Sequence, residues 1–408
     1  MPATTSSPQG EHTRTHHHAS AGTVLGAAAV CAVATGIALL LESVATTRSA
    51  VGPSYQQWTA QVSTSWTAWW TWVLGDFTEP TSYKSPLASI GLLAGAFLAY
   101  VLWRSSSRLA GTPVSYGLGH RLPWLIGSAS LSLILSNLLF RDLMTEGHWQ
   151  PTFVVVASVP AAVVLLYGPG WTVTVTAAVL GVVTVPPTAM LLITHLCIPL
   201  GIPNVIGIVL AMAIGGIMAC TVCRMLPWMQ TTEDPPRPEP APDSPPIPSA
   251  PGRYSEVTWT MRRVLCDFSE AQFIGSEWAG GLMIAGACIG FLINPTFAGY
   301  GLELLPKILL AQVITSAVGV VLWRRWYRNG GWTATYVPVV SSAPTAVVAF
   351  DGNWAALLLG AVIGAVLGAP IARLLAKPLP ATFHPYIANV TSMAATTLLV
   401  YGSLNFIL

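Results

Sequence analysis

The chain has 408 residues, 53% of them apolar, and only 8% charged, against roughly 25% in an ordinary globular protein. That excludes a typical soluble enzyme, and the net charge of +2, with no basic patch interleaved with aromatics, is too small to suggest a nucleic-acid partner. Residues 151 to 223 contain no Asp, Glu, Lys or Arg, and a helical span needs about 20 apolar residues, so this window alone holds about three crossings. The expected class is an all-α polytopic membrane protein in the cell membrane.

Residues 1–21 are polar, with Arg14 and the run His16, His17, His18, and read as a mobile tail. The apolar stretch 22–41 is too long for a signal-peptide core, although Ser43-Val44-Ala45 offers a small-residue cleavage site; residues 22–43 are expected as a retained transmembrane helix. Residues 44–85 carry Trp58, Trp66, Trp69, Trp70 and Trp72 and read as an external interfacial segment, because indole rings favour the headgroup region. Membrane anchoring is the plain account of these rings, and lateral capture of a substrate the bolder one.

Further apolar runs fall near 86–103, 122–140, 152–168, 171–193 and 203–223, then near 278–294, 305–323, 334–350, 354–374 and 386–407. With the first, they predict eleven transmembrane helices. Their continuous apolarity favours helices over barrel strands, which would alternate. Between the two sets of five, Gln230–Arg253 holds nine prolines in 24 residues and reads as a solvated cytoplasmic linker over 230–256.

The two sets, 86–229 and 257–408, resemble each other. Val73-Leu74-Gly75-Asp76-Phe77-Thr78-Glu79 recurs as Val264-Leu265-Cys266-Asp267-Phe268-Ser269-Glu270. Tyr116-Gly117-Leu118, Pro123, Trp149, Pro160, Pro187 and Asn204 recur in order as Tyr300-Gly301-Leu302, Pro306, Trp332, Pro344, Pro370 and Asn389, at offsets between 183 and 191. Basic residues then suggest orientation. Arg104, Arg108 and Arg121 flank the first loop of copy one, whereas in copy two Arg324, Arg325, Arg328, Arg373 and Lys377 flank loops two and four. Five spans per copy with this bias predict inverted repeats, with a cytoplasmic N-terminus and an external C-terminus.

Inverted copies of equal size mark secondary transporters, whose sites lie at the repeat interface beside interrupted helices. The third helix of each copy carries such an interruption: Ser158 with Pro160, and Ser341 and Ser342 with Pro344. Freed carbonyls and hydroxyls there can bind a ligand, or simply form a kink. Asn204 and Asn389, at the starts of the fifth helices, offer donors and acceptors to a polar solute, or serve as caps. His195 and His384 are candidate proton carriers, or ordinary interfacial residues. Asp76, Glu79, Asp267 and Glu270 precede the spans and read as helix-terminal charge. Cys220 and Cys223 form a lone CxxC with no second pair at zinc spacing, so no metal and no cofactor is expected. Walker, nucleophile-elbow, HExxH and kinase motifs are absent from the sequence. Glycines 286 to 290 and 360 to 368 suit close helix packing.

The expected function is alternating-access transport or export of a small polar or zwitterionic solute, its partners being the lipid bilayer, the solute and a coupling ion, proton or sodium. A passive channel of the same symmetry and an intramembrane enzyme acting on a lipid-linked substrate are the alternatives.

Overall fold

The structure, a computed structural model, describes residues 19–47, 50–107, 109–110, 119–141, 143, 151–229, 255–328 and 333–408. The histidine tail, Arg108, Tyr116-Gly117-Leu118, Trp149, Trp332 and the proline-rich linker lie outside them.

The described residues are helical, with no strand. In chain order the helices are α1 (Ala21–Ala45), α2 (Tyr55–Gln61), α3 (Trp66–Asp76), α4 (Pro86–Arg104), α5 (Leu122–Leu139), α6 (Val159–Tyr167), α7 (Trp171–Leu192), α8 (Ile198–Leu200) and α9 (Asn204–Met225). They continue as α10 (Glu256–Glu270), α11 (Glu277–Ile293), α12 (Leu305–Leu322), α13 (Arg324–Arg328), α14 (Tyr336–Val340), α15 (Ser342–Ala349), α16 (Trp354–Ala376) and α17 (Tyr386–Ile407). A π-helical turn over Ile193–Cys197 joins α7 to α8. Proline at the first or second helical position starts α4, α5 and α12, where its missing N–H costs nothing.

Among the described residues, eight helices are long and apolar enough to cross a membrane. The other three expected spans are shorter. Two of them, Thr152–Tyr167 and Tyr336–Ala349, break at Ser158 and Ser341, and α11, with 17 residues, reaches about 25 Å against a hydrocarbon core of roughly 30 Å.

Small residues let these helices touch backbone to backbone. Gly95 on α4 lies against the backbone of Trp278 and Ala279, and Gly286 on α11 lies against that of Leu87 and Ala88. A shift of 191 residues turns one contact into the other, and Gly91 and Leu282, related by the same shift, meet between them. As the numbers rise along α4 they fall along α11, so the pair is antiparallel. The fifth helices of the two sets also run antiparallel: Tyr386 of α17 lies over Gly216 of α9, and the Tyr401 hydroxyl donates to the Gly201 carbonyl at 3.3 Å.

One end of the bundle gathers α1's Gly22 beside Glu256, the Arg324–Glu256 and Arg262–Glu277 ion pairs, and the Trp278 indole donating to the Leu109 carbonyl. At the other end the Val51 and Tyr55 amides donate to the Ile293 and Thr296 carbonyls.

The tryptophan segment departs from the expected surface anchor. Trp58, Trp69 and Trp72 are 1–2% exposed, inside the core, and only Trp66 and Trp70 face outward. The reason is that α3 packs on α4 and α5, with the Trp69 indole directed at the Asn137 carbonyl.

Candidate functional site

Proline dictates the two central breaks. Without an N–H, and clashing with the carbonyl four residues back, Pro160 and Pro344 cannot continue the helices that precede them. Ser158 takes φ −144°, ψ −126° and Ser341 takes φ −121°, ψ −81°. Each hydroxyl donates back to a carbonyl four residues earlier, Ser158 to Val154 at 2.6 Å and Ser341 to Val337 at 2.7 Å. The fourth helix of each set makes room with glycine: Gly181 of α7 faces Pro160, and Gly364 of α16 faces Ser342.

A cavity of about 720 Å³ lies beside these breaks, walled by residues of both sets. Its rim includes the exposed Gly201 and Asn204, and its floor the buried Phe153, Ser341 and Tyr336. Of the residues singled out from the sequence, Asn204, Ser341 and Pro344 line it. Ser158, Pro160 and Ser342 are turned into helix packing. Asn389 stands one layer behind, its amide donating to the Tyr336 hydroxyl at 3.2 Å. His195 is exposed on the π-helical turn, away from the cavity. His384 does not line the cavity; it is buried against Phe273 and Tyr386, where its Nδ1 accepts the Tyr386 amide at 3.1 Å and burial pulls its pKa down to about 3.

The twin acidic motifs are not helix-starting charges. They close the C-terminal ends of α3 and α10 and are buried in ion pairs. Lys84 bridges Asp76 and Glu79, with Glu79 at 2.7 Å. Arg263 bridges Asp267 and Glu270 at 2.8 and 2.9 Å. Each Asp also receives hydrogen bonds from the second helix of its set and from the lead-in to the third. Asp76 accepts from Asn137 and Thr152, and Asp267 accepts from Ser316 and Thr335. In α10 the i,i+3 spacing puts both acids on one helical face, and in the first copy the turn after α3 brings Glu79 to the same lysine as Asp76, so a single cation serves both acids of each pair. The cations, by contrast, occupy unrelated positions, Lys84 eight residues after its Asp and Arg263 four before.

The segments that follow the acids meet in the middle of the protein. Gln272 donates to the Phe77 carbonyl at 3.1 Å, and Gln312 donates to the Thr81 carbonyl at 3.0 Å while accepting from the Tyr83 hydroxyl. Ser82 and Phe273, again 191 apart, share a left-handed backbone bend, with φ 64° and 61°. Their side chains face different surroundings. Ser82 lines the cavity, whereas Phe273 packs with His384 and Tyr386 at ring distances of 5.7 and 5.8 Å. Tyr386 also donates to the Met212 carbonyl, and Met212 lines the cavity. Open space beside Ser82 is thus matched by aromatic packing around Phe273.

Sequence reasoning missed Tyr55, Glu79, Ser82, Tyr300 and Tyr401 as cavity residues. The signal available for Glu79 was the repeated Asp-Phe-x-Glu in a chain with only 16 acids. Comparison with protein-family models, curated proteins and solved structures finds no match.

Proposed function

We propose that the chain is a secondary transporter or exporter of a small solute, built from two inverted five-helix repeats that move against each other in the cell membrane. The observation that carries this reading is the cavity between the two sets: it reaches the Ser341 break, and its lining residue Met212 accepts a hydrogen bond from Tyr386 of the Phe273, His384 and Tyr386 cluster. A vestibule accessible from one end, with its counterpart filled at the other, is what alternating access requires of one of its states. Support for inversion comes from the reciprocal, antiparallel contacts of α4 with α11 and of α9 with α17. The charge bias of the loops agrees, with the end carrying Arg104 and Arg324 cytoplasmic. In this reading Asn204 and Ser341 touch solute, Asn389 holds Tyr336 in place, Ser158 and Ser342 form the hinges, and a proton or sodium gradient drives the cycle.

The test is flux in sealed vesicles with an imposed ion gradient. Uptake should saturate with solute and fall when Asn204 and Ser341 are both replaced by Ala at matched expression. Flux that neither saturates nor responds to a gradient would instead favour the channel.

A further inference from the structure

The cavity wall bears on the charge of the solute. Glu79 is the only residue lining it, among the described residues, that belongs to the Asp, Glu, Lys, Arg and His group. Behind it Lys84 is fully buried and shared with Asp76, so this wall sets two carboxyl side chains against one lysine. Asp76 does not line the cavity, so Glu79 is the carboxylate nearest the open space. Two aromatic rings stand on the same wall, Tyr55 and Tyr300, edge to face at 5.9 Å. The Tyr55 hydroxyl is buried. Burial first, and the Glu79 charge second, hold the Tyr300 hydroxyl well above the usual range.

A negative charge kept from water is stabilised by a counter-cation, and aromatic faces attract the same kind of group. Among the described residues that line the cavity, an anionic solute would meet no positive side chain, and the carboxylate of a zwitterion would have no charged partner. Resting on the transport reading, we infer that the cavity takes a small organic cation, its ammonium group between Glu79 and the rings of Tyr55 and Tyr300, in competition with a proton on Glu79. The volume suits an ion of that class, since small-molecule pockets run about 300–1,000 Å³.

The test is equilibrium dialysis of the full chain in detergent with tetraethylammonium, whose charge does not titrate, and with benzenesulfonate as an anion of similar size. Wild type should bind the cation, more weakly as pH falls, and not the anion. Glu79→Gln should lose roughly tenfold or more in affinity and lose the pH dependence. If that variant does not fold, the exposed rim decides: Asn204→Lys should weaken binding and Asn204→Asp strengthen it. The inference is overturned if wild type binds tetraethylammonium more weakly than about 10 mM, if Glu79→Gln binds as wild type does, if the rim charges have no effect, or if benzenesulfonate is preferred. Cation binding without vesicle flux would uphold this inference and defeat the transport reading. Saturable flux of a neutral or anionic solute without cation binding would do the reverse.

Discussion

Tyr386 lies across the bare face of Gly216, close enough that the glycine has no space for a side chain, and its hydroxyl donates to the Met212 carbonyl at 3.1 Å. A methyl at position 216 would occupy the place of that hydroxyl. Gly216→Ala should therefore push Tyr386 out of its cluster with Phe273 and His384 and cost about 1–3 kcal/mol, the usual range for overpacking. Thermal unfolding of the purified protein measures this, and an unchanged midpoint would show that the ring is not seated there.

The buried cations should be more sensitive. Lys84→Met or Arg263→Met leaves two carboxylates without their shared partner, and breaking a buried pair typically costs about 3–5 kcal/mol. Each single change should sharply reduce the yield of monodisperse protein by size-exclusion chromatography. Adding Asn at the Asp and Gln at the Glu of the same cluster should restore much of it, because the stranded charges are then gone.

Acid should weaken the fold through His384. Its folded pKa of about 3 lies below the ordinary 6.5, so the unfolded chain binds the extra proton first. The group's contribution is fully present above pH 6.5 and is lost as pH falls toward 3, by about 1.4 kcal/mol per unit. Between pH 7.5 and 5.5 wild type should lose roughly 1–1.5 kcal/mol more than His384→Asn, whose side-chain oxygen can still accept the Tyr386 amide. Parallel denaturation curves for the two proteins would contradict the assignment.

The two serines at the helix breaks, Ser158 and Ser341, should separate in function. Ser158→Ala and Ser341→Ala each remove a hydrogen bond to the carbonyl four residues back, worth about 1 kcal/mol. Only Ser341 lines the cavity. Initial rates of uptake should therefore show a changed half-saturation concentration for Ser341→Ala and wild-type half-saturation for Ser158→Ala.

Topology is directly measurable. Cysteines placed at Arg104 and Arg325 should react with an impermeant maleimide from one side, and cysteines at Val51 and Lys307 from the other, in a background lacking the six native cysteines. Labelling of positions 104 and 325 from opposite sides would remove the inverted arrangement.

Composition and periodicity alone determined the helical class and the approximate limits of every long helix, because an apolar run of that length satisfies its backbone only by helix formation. The duplicated heptapeptide and the Ser–Pro interruptions were also legible, since proline acts on its own local backbone. The fate of the acids was not. A carboxylate before a span reads as a capping charge, and its burial against Lys84 or Arg263 depends on how α3 and α10 are carried into the core. Trp58, Trp69 and Trp72 were misplaced for the same reason: an indole suits a membrane interface or a protein core equally well, and only the neighbouring helices choose. Tertiary structure likewise decided that Asn204 and Ser341 share a cavity while Ser158 and Asn389 do not line it. The duplicated heptapeptides run into segments that differ at every position, and these meet different partners across the interface, Ser82 facing open space where Phe273 meets His384 and Tyr386. That asymmetry comes from long-range packing, which no local pattern encodes.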